Sequence, residues 1–146
     1  MFSTAHLATG LIIGKLTGDY VTAITTSLVI DLDHFMPLYK KGVFSNWQKF
    51  RQLLLSSNTP QSSSRTYLHN IFILLTISLI AFFINHTVGS VIFISYLFHL
   101  VIDALDNQNL YLFYPNKNLV LNGPIKYFSL AELIFTIILF IVYYMI

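Results

Sequence analysis

The sequence contains no cysteine and very few charged residues. Of its 146 residues, 10% are charged and 55% are hydrophobic, and the mean hydropathy is +0.69. The absence of cysteine excludes disulfide bonds, thiolate metal ligands and a cysteine nucleophile. A soluble domain carries about 25% charged residues, so this chain has too little charge to cover a surface in water. The composition predicts a single membrane domain over residues 1–146.

Charge is also unevenly distributed along the chain. The net charge of +2 is too small to indicate nucleic-acid binding. Five of the eight basic residues lie in the segment 37–65, which has no acidic residue, and Lys117 and Lys126 lie in or at the end of the polar segment 106–126. Basic loops mark the cytoplasmic side of a membrane. Aromatic residues spaced between the basic ones favour an amphipathic helix in the lipid interface over part of 37–65.

Long apolar runs make up most of the sequence outside these two basic segments. They cover residues 67–84, 88–105 and 127–146, and each approaches the roughly 20 residues that a membrane-spanning helix needs. Residues 5–30 are also apolar, but Lys15 and Asp19 lie between glycines in their middle, which favours a turn. We therefore predict two short helices at about 4–16 and 20–34, with one long helix as the alternative. The expected fold is all-α, a polytopic transmembrane bundle of four or five helices with an interfacial amphipathic segment.

Histidines and aspartates stand at those ends of the predicted helices that face the basic loops. They are His6, Asp31, Asp33, His34, His69, His99, Asp103 and Asp106. The place of His6 depends on the predicted hairpin, because one long helix would carry it to the opposite face. Ionisable groups near lipid cost about 2.5–3.5 kcal/mol each. A cluster of this kind needs a partner, and a divalent cation provides one.

The spacing of these residues suits a metal site. His99 and Asp103 are four residues apart on one helix face, so both can reach the same ion. Nitrogen and oxygen donors without sulfur favour zinc, with manganese or iron as alternatives, and the number of donors leaves room for one or two ions.

There are three structural alternatives. His69 would only form a hydrogen bond to a neighbouring helix, and His99 and Asp103 would be a structural pair. The residues Asp31, Asp33 and His34 would be a polar helix end among the lipid headgroups.

Four blocks of the sequence occur in an order that is found in a known family. They read Ser3-Thr4-Ala5-His6-Leu7-Ala8-Thr9-Gly10, Asp31-Leu32-Asp33-His34, Arg65-Thr66-Tyr67-Leu68-His69-Asn70, and Tyr96-Leu97-Phe98-His99-Leu100-Val101-Ile102-Asp103-Ala104-Leu105 leading into Leu110-Tyr111-Leu112-Phe113-Tyr114-Pro115. Together they resemble the YdjM-like family, described as LexA-binding, inner-membrane-associated, metal-dependent hydrolases of bacteria and archaea. The chain departs from the family pattern at Ile30, where proline is common, at Asn70, where serine is common, and at 106–109.

The resemblance implies a metal-dependent hydrolase at the cytoplasmic face of a bacterial or archaeal cell membrane. The expected metal ligands are His6, Asp33, His34, His69, His99 and Asp103, and the expected catalytic residues are Asp31, Asp33 and Arg65. One of the two aspartates would serve as general base, and Arg65 would bind a phosphate or carboxylate. The expected substrate is a lipid or a phosphoester, with a phosphoester or acyl-ester bond of a lipid preferred. The alternatives are a non-enzymatic cation-binding membrane protein and a membrane anchor for a cytoplasmic partner.

Overall fold

The computed structural model describes residues 3–34, 67–126 and 129–146, together with Tyr39, Gly42 and residues 46–48. Its elements are α1 (Ser3–Thr17), α2 (Tyr20–Val29), a 3₁₀ helix (Ile30–His34), α3 (Ile71–Ile84), α4 (His86–Ala104) and α5 (Leu130–Met145). These described ranges contain helices and loops but no β-strand. The all-α prediction is therefore confirmed.

The first two helices form the predicted hairpin. Gly18 has a φ of 78°, a conformation that glycine adopts without steric cost. The side chain of Asp19 then accepts a hydrogen bond of 3.0 Å from the backbone N–H of Thr22 and caps α2. The alternative of one long helix is excluded, and His6 lies at the same end of the bundle as the C-terminal end of α2.

Two glycines allow α1 and α2 to pack closely. A Cβ atom at Gly10 would lie 3.0 Å from the Cα of Ile24, and one at Gly14 would lie 2.8 Å from the Cα of Tyr20. Small residues four positions apart are a common means of bringing helix backbones together, particularly in membranes. This close packing brings the start of α1 next to the 3₁₀ helix that follows α2.

The predicted spans at 67–84 and 127–146 form shorter helices than expected. α3 has 14 residues because the side chain of Asn70 caps it, accepting a hydrogen bond of 2.8 Å from Phe72 N. α5 has 16 residues and begins after Ser129, whose hydroxyl accepts a hydrogen bond of 3.3 Å from Glu132 N. Serine followed three residues later by glutamate is the capping-box sequence. The turn residues 67–69 therefore precede α3 rather than form part of it.

One helix within the described ranges is long and apolar enough to cross a membrane. This helix, α4, has 19 residues and a mean hydropathy of 1.7, whereas α3 and α5 are apolar but shorter. Large apolar side chains nevertheless cover the outside of the shorter helices, and Phe83 of α3 is 79% exposed. The length and composition of α4 make it a candidate span, and a polytopic topology remains a proposal.

The polar segment 106–126 forms no helix, and it supports the start of α3. Ile71 N donates a hydrogen bond of 3.0 Å to the carbonyl oxygen of Leu112. Leu110 is fully buried and exchanges backbone hydrogen bonds of 2.8 and 3.0 Å with Leu121. The loop thus holds the turn before α3 against the bundle. The amphipathic helix predicted within 37–65 lies outside the described residues, apart from Tyr39, Gly42 and 46–48.

Candidate metal centre

Four segments place the predicted histidines and aspartates at one end of the bundle. His6 lies in the first half of α1, Asp31 follows α2, His69 precedes α3, and His99 and Asp103 lie near the end of α4. All five side chains are buried, with at most 7% of any residue exposed. Separate elements thus bring these residues into one buried group, although most of them are far apart in sequence.

The tautomer of His99 is fixed by the backbone of α2. Its Nδ1 atom lies 2.8 Å from the carbonyl oxygen of Ser27. Because a carbonyl oxygen only accepts hydrogen bonds, Nδ1 must carry the proton and donate it. In the neutral ring, Nε2 then presents its lone pair to the cluster. This is the form in which an imidazole binds a metal ion.

His69 is oriented by carboxylates on both sides of its ring. Nδ1 lies 3.0 Å from Oδ2 of Asp33, and Nε2 lies 2.9 Å from Oδ2 of Asp103. Burial disfavours the charged ring, but the hydrogen bonds to Asp103 and Asp33 outweigh burial and raise the pKa of His69 to about 9. The two carboxylates therefore favour positive charge at the position of His69. A carboxylate that holds the outer nitrogen of a histidine is the usual support of a metal-binding imidazole.

The inner atoms have the spacing of ligands around one ion. The Nε2 atoms of His69 and His99 lie 3.2 Å apart. Oδ1 of Asp31 lies 3.8 Å from the first of these atoms and 3.6 Å from the second. Two ligands that are about 2.0–2.1 Å from a metal ion are about 3.3–3.4 Å apart in tetrahedral geometry, and about 2.8–3.0 Å apart at neighbouring octahedral positions. Movements of these three atoms by a few tenths of an ångström would bring them to the spacing of metal ligands.

His6 reaches the cluster from the other side of Asp103. Its Nε2 lies 3.3 Å from Oδ1 of Asp103, and its ring stacks on His99 with centroids 3.8 Å apart. Nδ1 of His6 has no hydrogen-bond partner among the described residues. One ligand atom from each of His6, Asp31, His99 and Asp103 lies within 4.8 Å of the others. This buried group could hold a metal ion.

The structure gives the two neighbouring aspartates different surroundings. Successive residues of a 3₁₀ helix are about 120° apart around its axis, so Asp31 and Asp33 point in different directions. Asp31 directs Oδ1 towards the inner imidazole nitrogens, while its Oδ2 accepts a hydrogen bond of 3.4 Å from Ser3. Asp33 contacts the outer nitrogen of His69. The side chain of His34 and all of Arg65 lie outside the described residues.

Several supporting contacts were not predicted from the sequence. Ser27 acts through its main-chain carbonyl, which any residue type provides, so the sequence gives no signal for it. The hydroxyl of Tyr96 donates to the carbonyl of Leu68, next to His69. Tyr96 stands three residues before His99 on α4, one helical turn away, and this spacing was the signal that could have identified it. These contacts hold the imidazoles in place.

Comparisons with known proteins found no relative of this chain. No protein-family model, no curated protein and no solved structure matches this chain. The candidate metal centre therefore rests on the geometry of its own residues. The resemblance to the YdjM-like family remains an expectation from the sequence blocks.

Proposed function

We propose that this protein is a membrane-embedded, metal-dependent hydrolase that acts at the cytoplasmic face of a bacterial or archaeal cell membrane. One observation carries the proposal. Two buried imidazoles, each fixed through Nδ1 by an outside acceptor, bring their Nε2 atoms within 3.2 Å of each other beside two carboxylates. The sequence blocks that resemble the YdjM-like family support the same activity, and we propose membership of that family.

The proposed membrane topology rests on the apolar helices. In it, α3, α4 and α5 cross the membrane and the α1–α2 hairpin packs against them. The exposed apolar surfaces of α3 and α5 support this arrangement, because an extended apolar surface is costly in water. In sequence, the basic segment 37–65 lies between the 3₁₀ helix that carries Asp31 and the turn that carries His69. Because basic loops mark the cytoplasmic side of a membrane, this position favours a cytoplasmic metal centre.

The proposed ligands are His69 and His99 through Nε2, together with His6 and Asp103; the sequence adds His34. Zinc suits this nitrogen and oxygen set best, and manganese and iron are alternatives. The two oxygens of Asp103 face different imidazoles, Oδ1 towards His6 and Oδ2 towards His69, so this carboxylate would help to hold one ion or two. When bound, such an ion lowers the pKa of water towards neutrality and polarises an ester or phosphoryl oxygen.

Asp31 is the proposed general base: although its Oδ1 lies within reach of the same ion, we assign it to the attacking water rather than to the metal shell. Its Oδ1 faces the inner nitrogens, whereas Asp33 is engaged with the outer nitrogen of His69. Asp31 takes a proton from the attacking water and returns it to the leaving oxygen as the C–O or P–O bond breaks. Arg65 is proposed, from sequence alone, to bind the phosphate or carboxylate of the substrate. A lipid ester or phosphoester is the proposed substrate class.

Hydrolysis by the purified protein tests this proposal. Detergent-solubilised protein is stripped with a chelator, reloaded with zinc or manganese, and assayed on p-nitrophenyl butyrate, bis-p-nitrophenyl phosphate and dioleoylphosphatidylglycerol micelles. We expect the metal-loaded wild type to hydrolyse at least one of these esters and to lose activity with chelator. Metal-loaded wild type that is no faster than Asp103→Ala on all three esters would contradict the proposal.

One observation favours a second candidate, a cation with a purely structural role. His6, His69, His99 and Asp103 are at most 1% exposed, and structural metal sites are closed whereas catalytic sites keep an open position. A structural cation would join four segments of the chain. It predicts that chelation lowers the melting temperature of wild type, and of Asp31→Asn, while no ester is hydrolysed by either protein.

A further inference from the structure

The loop between α4 and α5 packs two aromatic rings against residues at the start of α3. Phe113 contacts Phe72, with ring centroids 6.3 Å apart. Tyr114 contacts Tyr67, with centroids 5.6 Å apart. Both pairs meet edge to face, which is a favoured aromatic geometry. The side-chain N–H of Asn70 also donates a hydrogen bond of 2.7 Å to the carbonyl oxygen of Tyr114. The four rings therefore form one ordered surface at the end of the bundle that carries the metal centre.

These rings remain exposed although they contact each other. The exposed fraction is 68% at Tyr67, 56% at Phe72 and 39% at Phe113. Leu75, one helical turn after Phe72, is also exposed. The two phenylalanines thus continue the apolar outer surface of α3 into the loop. Contiguous exposed side chains of this kind mark an interaction surface.

The polarity of this surface changes in one order from the helix outwards. Phe72 lies in the first turn of α3, and its partner Phe113 is equally apolar. Tyr67 precedes the helix, and its partner is a second tyrosine; a tyrosine ring is apolar but carries a polar hydroxyl. Lys117 is exposed and stands three residues after Tyr114. The order is therefore apolar, amphipathic and then basic.

The exposed charges of the loop have one sign. Between Asp106 and Glu132 the sequence contains two lysines, Lys117 and Lys126, and no acidic residue. Both lysines are exposed, whereas Asp106 and Glu132 are buried. The loop therefore presents positive charge beside the aromatic rings, which is complementary to an anionic partner.

A bilayer leaflet that contains anionic phospholipid has the same order of chemistry. Its acyl chains lie deepest, and aromatic side chains with one polar group collect at the level of the headgroups. Anionic headgroups then attract lysine at the membrane surface. A protein partner offers no physical reason for this order.

We propose that this loop surface, formed by Tyr67, Phe72, Phe113, Tyr114 and Lys117, binds the anionic phospholipids of the leaflet at the metal-centre end of the bundle. It would hold their headgroups beside the turn that precedes α3. The inference rests on the proposed membrane association and does not depend on the proposed hydrolysis.

A tryptophan within the loop surface reports its contact with lipid. Phe113→Trp keeps an aromatic ring against Phe72, and it is made together with Trp47→Phe, which removes the only natural tryptophan. Ile77→Trp in the same background is the reference within the bilayer, because Ile77 is exposed midway along α3. Each protein is reconstituted in vesicles of phosphatidylcholine and phosphatidylglycerol in equal amounts. Fluorescence quenching is measured with one or the other lipid carrying a nitroxide, close to the headgroup for Phe113→Trp and near the chain end for Ile77→Trp.

We expect labelled phosphatidylglycerol to quench Phe113→Trp about fivefold more strongly than labelled phosphatidylcholine, the usual contribution of one lysine at an anionic surface. Adding Lys117→Gln should bring this ratio close to one. Lys15→Gln is the matched control and should leave the ratio unchanged, because Lys15 is exposed at the opposite end of α1 from His6. A ratio near one with Lys117 present, or equal ratios in the two lysine variants, would overturn the proposal.

The reference Ile77→Trp separates this inference from the proposed membrane topology. If Ile77→Trp is quenched and Phe113→Trp is not, α3 lies in the membrane but the loop surface does not bind lipid, which would leave a protein as its partner. If labelled phosphatidylglycerol quenches Phe113→Trp while neither lipid quenches Ile77→Trp, the loop surface is supported and the transmembrane position of α3 is wrong. Helical circular dichroism of each variant confirms that the quenching belongs to folded protein.

Discussion

Replacing His99 and Asp103 together with alanine is expected to weaken metal binding by at least about a thousandfold. A four-ligand zinc site contributes about 10–16 kcal/mol, so the loss of two ligands costs several kcal/mol. His99 provides a lone pair that Ser27 has oriented, and Asp103 contacts both His6 and His69. The double variant therefore removes one imidazole and the carboxylate that joins the other two. Competition with a chromophoric zinc chelator measures the affinity.

The matched control for this variant is the double substitution Leu97→Ala with Val101→Ala. These residues have the same four-residue spacing on α4, but Val101 is half exposed and neither residue belongs to the cluster. The control should bind zinc within about threefold of wild type. If the His99/Asp103 double variant bound zinc as tightly as wild type, the metal would have to bind at another site. An equal loss in the control would show that damage to α4 is responsible.

The second large effect is expected at Asp31. The substitution Asp31→Asn should lower kcat by about 10²–10⁴-fold, the usual contribution of a general base, because an amide does not accept the proton of water. The amide oxygen can still occupy the position of Oδ1, which faces His69 and His99. Metal content should therefore change little. Steady-state hydrolysis at saturating zinc, together with metal content on the same samples, measures both quantities.

Asp33→Asn is the comparison that separates the two aspartates. Asp33 holds Nδ1 of His69 at 3.0 Å, and loss of such a support lowers metal affinity by about 10–100-fold. Saturating zinc should restore most of its kcat. The assigned roles are reversed if Asp33→Asn at saturating zinc is slower than Asp31→Asn.

Much of the candidate site follows from the sequence. The i, i+4 spacing of His99 and Asp103 fixes a shared helix face whatever surrounds it. The turn at Gly18 and Asp19 predicts that His6 returns to the same end as Asp31, and the structure confirms that placement. These features depend on the helical repeat and on the residue types in a turn, and both can be read directly from the sequence.

Other features depend on packing and were not predicted. The runs around α3 and α5 appeared long enough to span a membrane, but Asn70 and Ser129 cap both helices and shorten them. The sequence could not separate Asp31 from Asp33, because which of them faces which imidazole depends on how the 3₁₀ helix packs against His69 and His99. The support of His99 comes from a main-chain carbonyl that leaves no mark in the sequence.

The most direct test of the metal centre is the metal content of the detergent-purified wild-type protein, measured by elemental mass spectrometry after incubation with zinc or manganese and removal of the excess. The account predicts about one or two tightly bound ions per chain, and nearly none when His99 and Asp103 are both alanine. Wild type that retains less than about a tenth of an ion per chain with either metal would contradict the metal centre, and with it the proposed hydrolase.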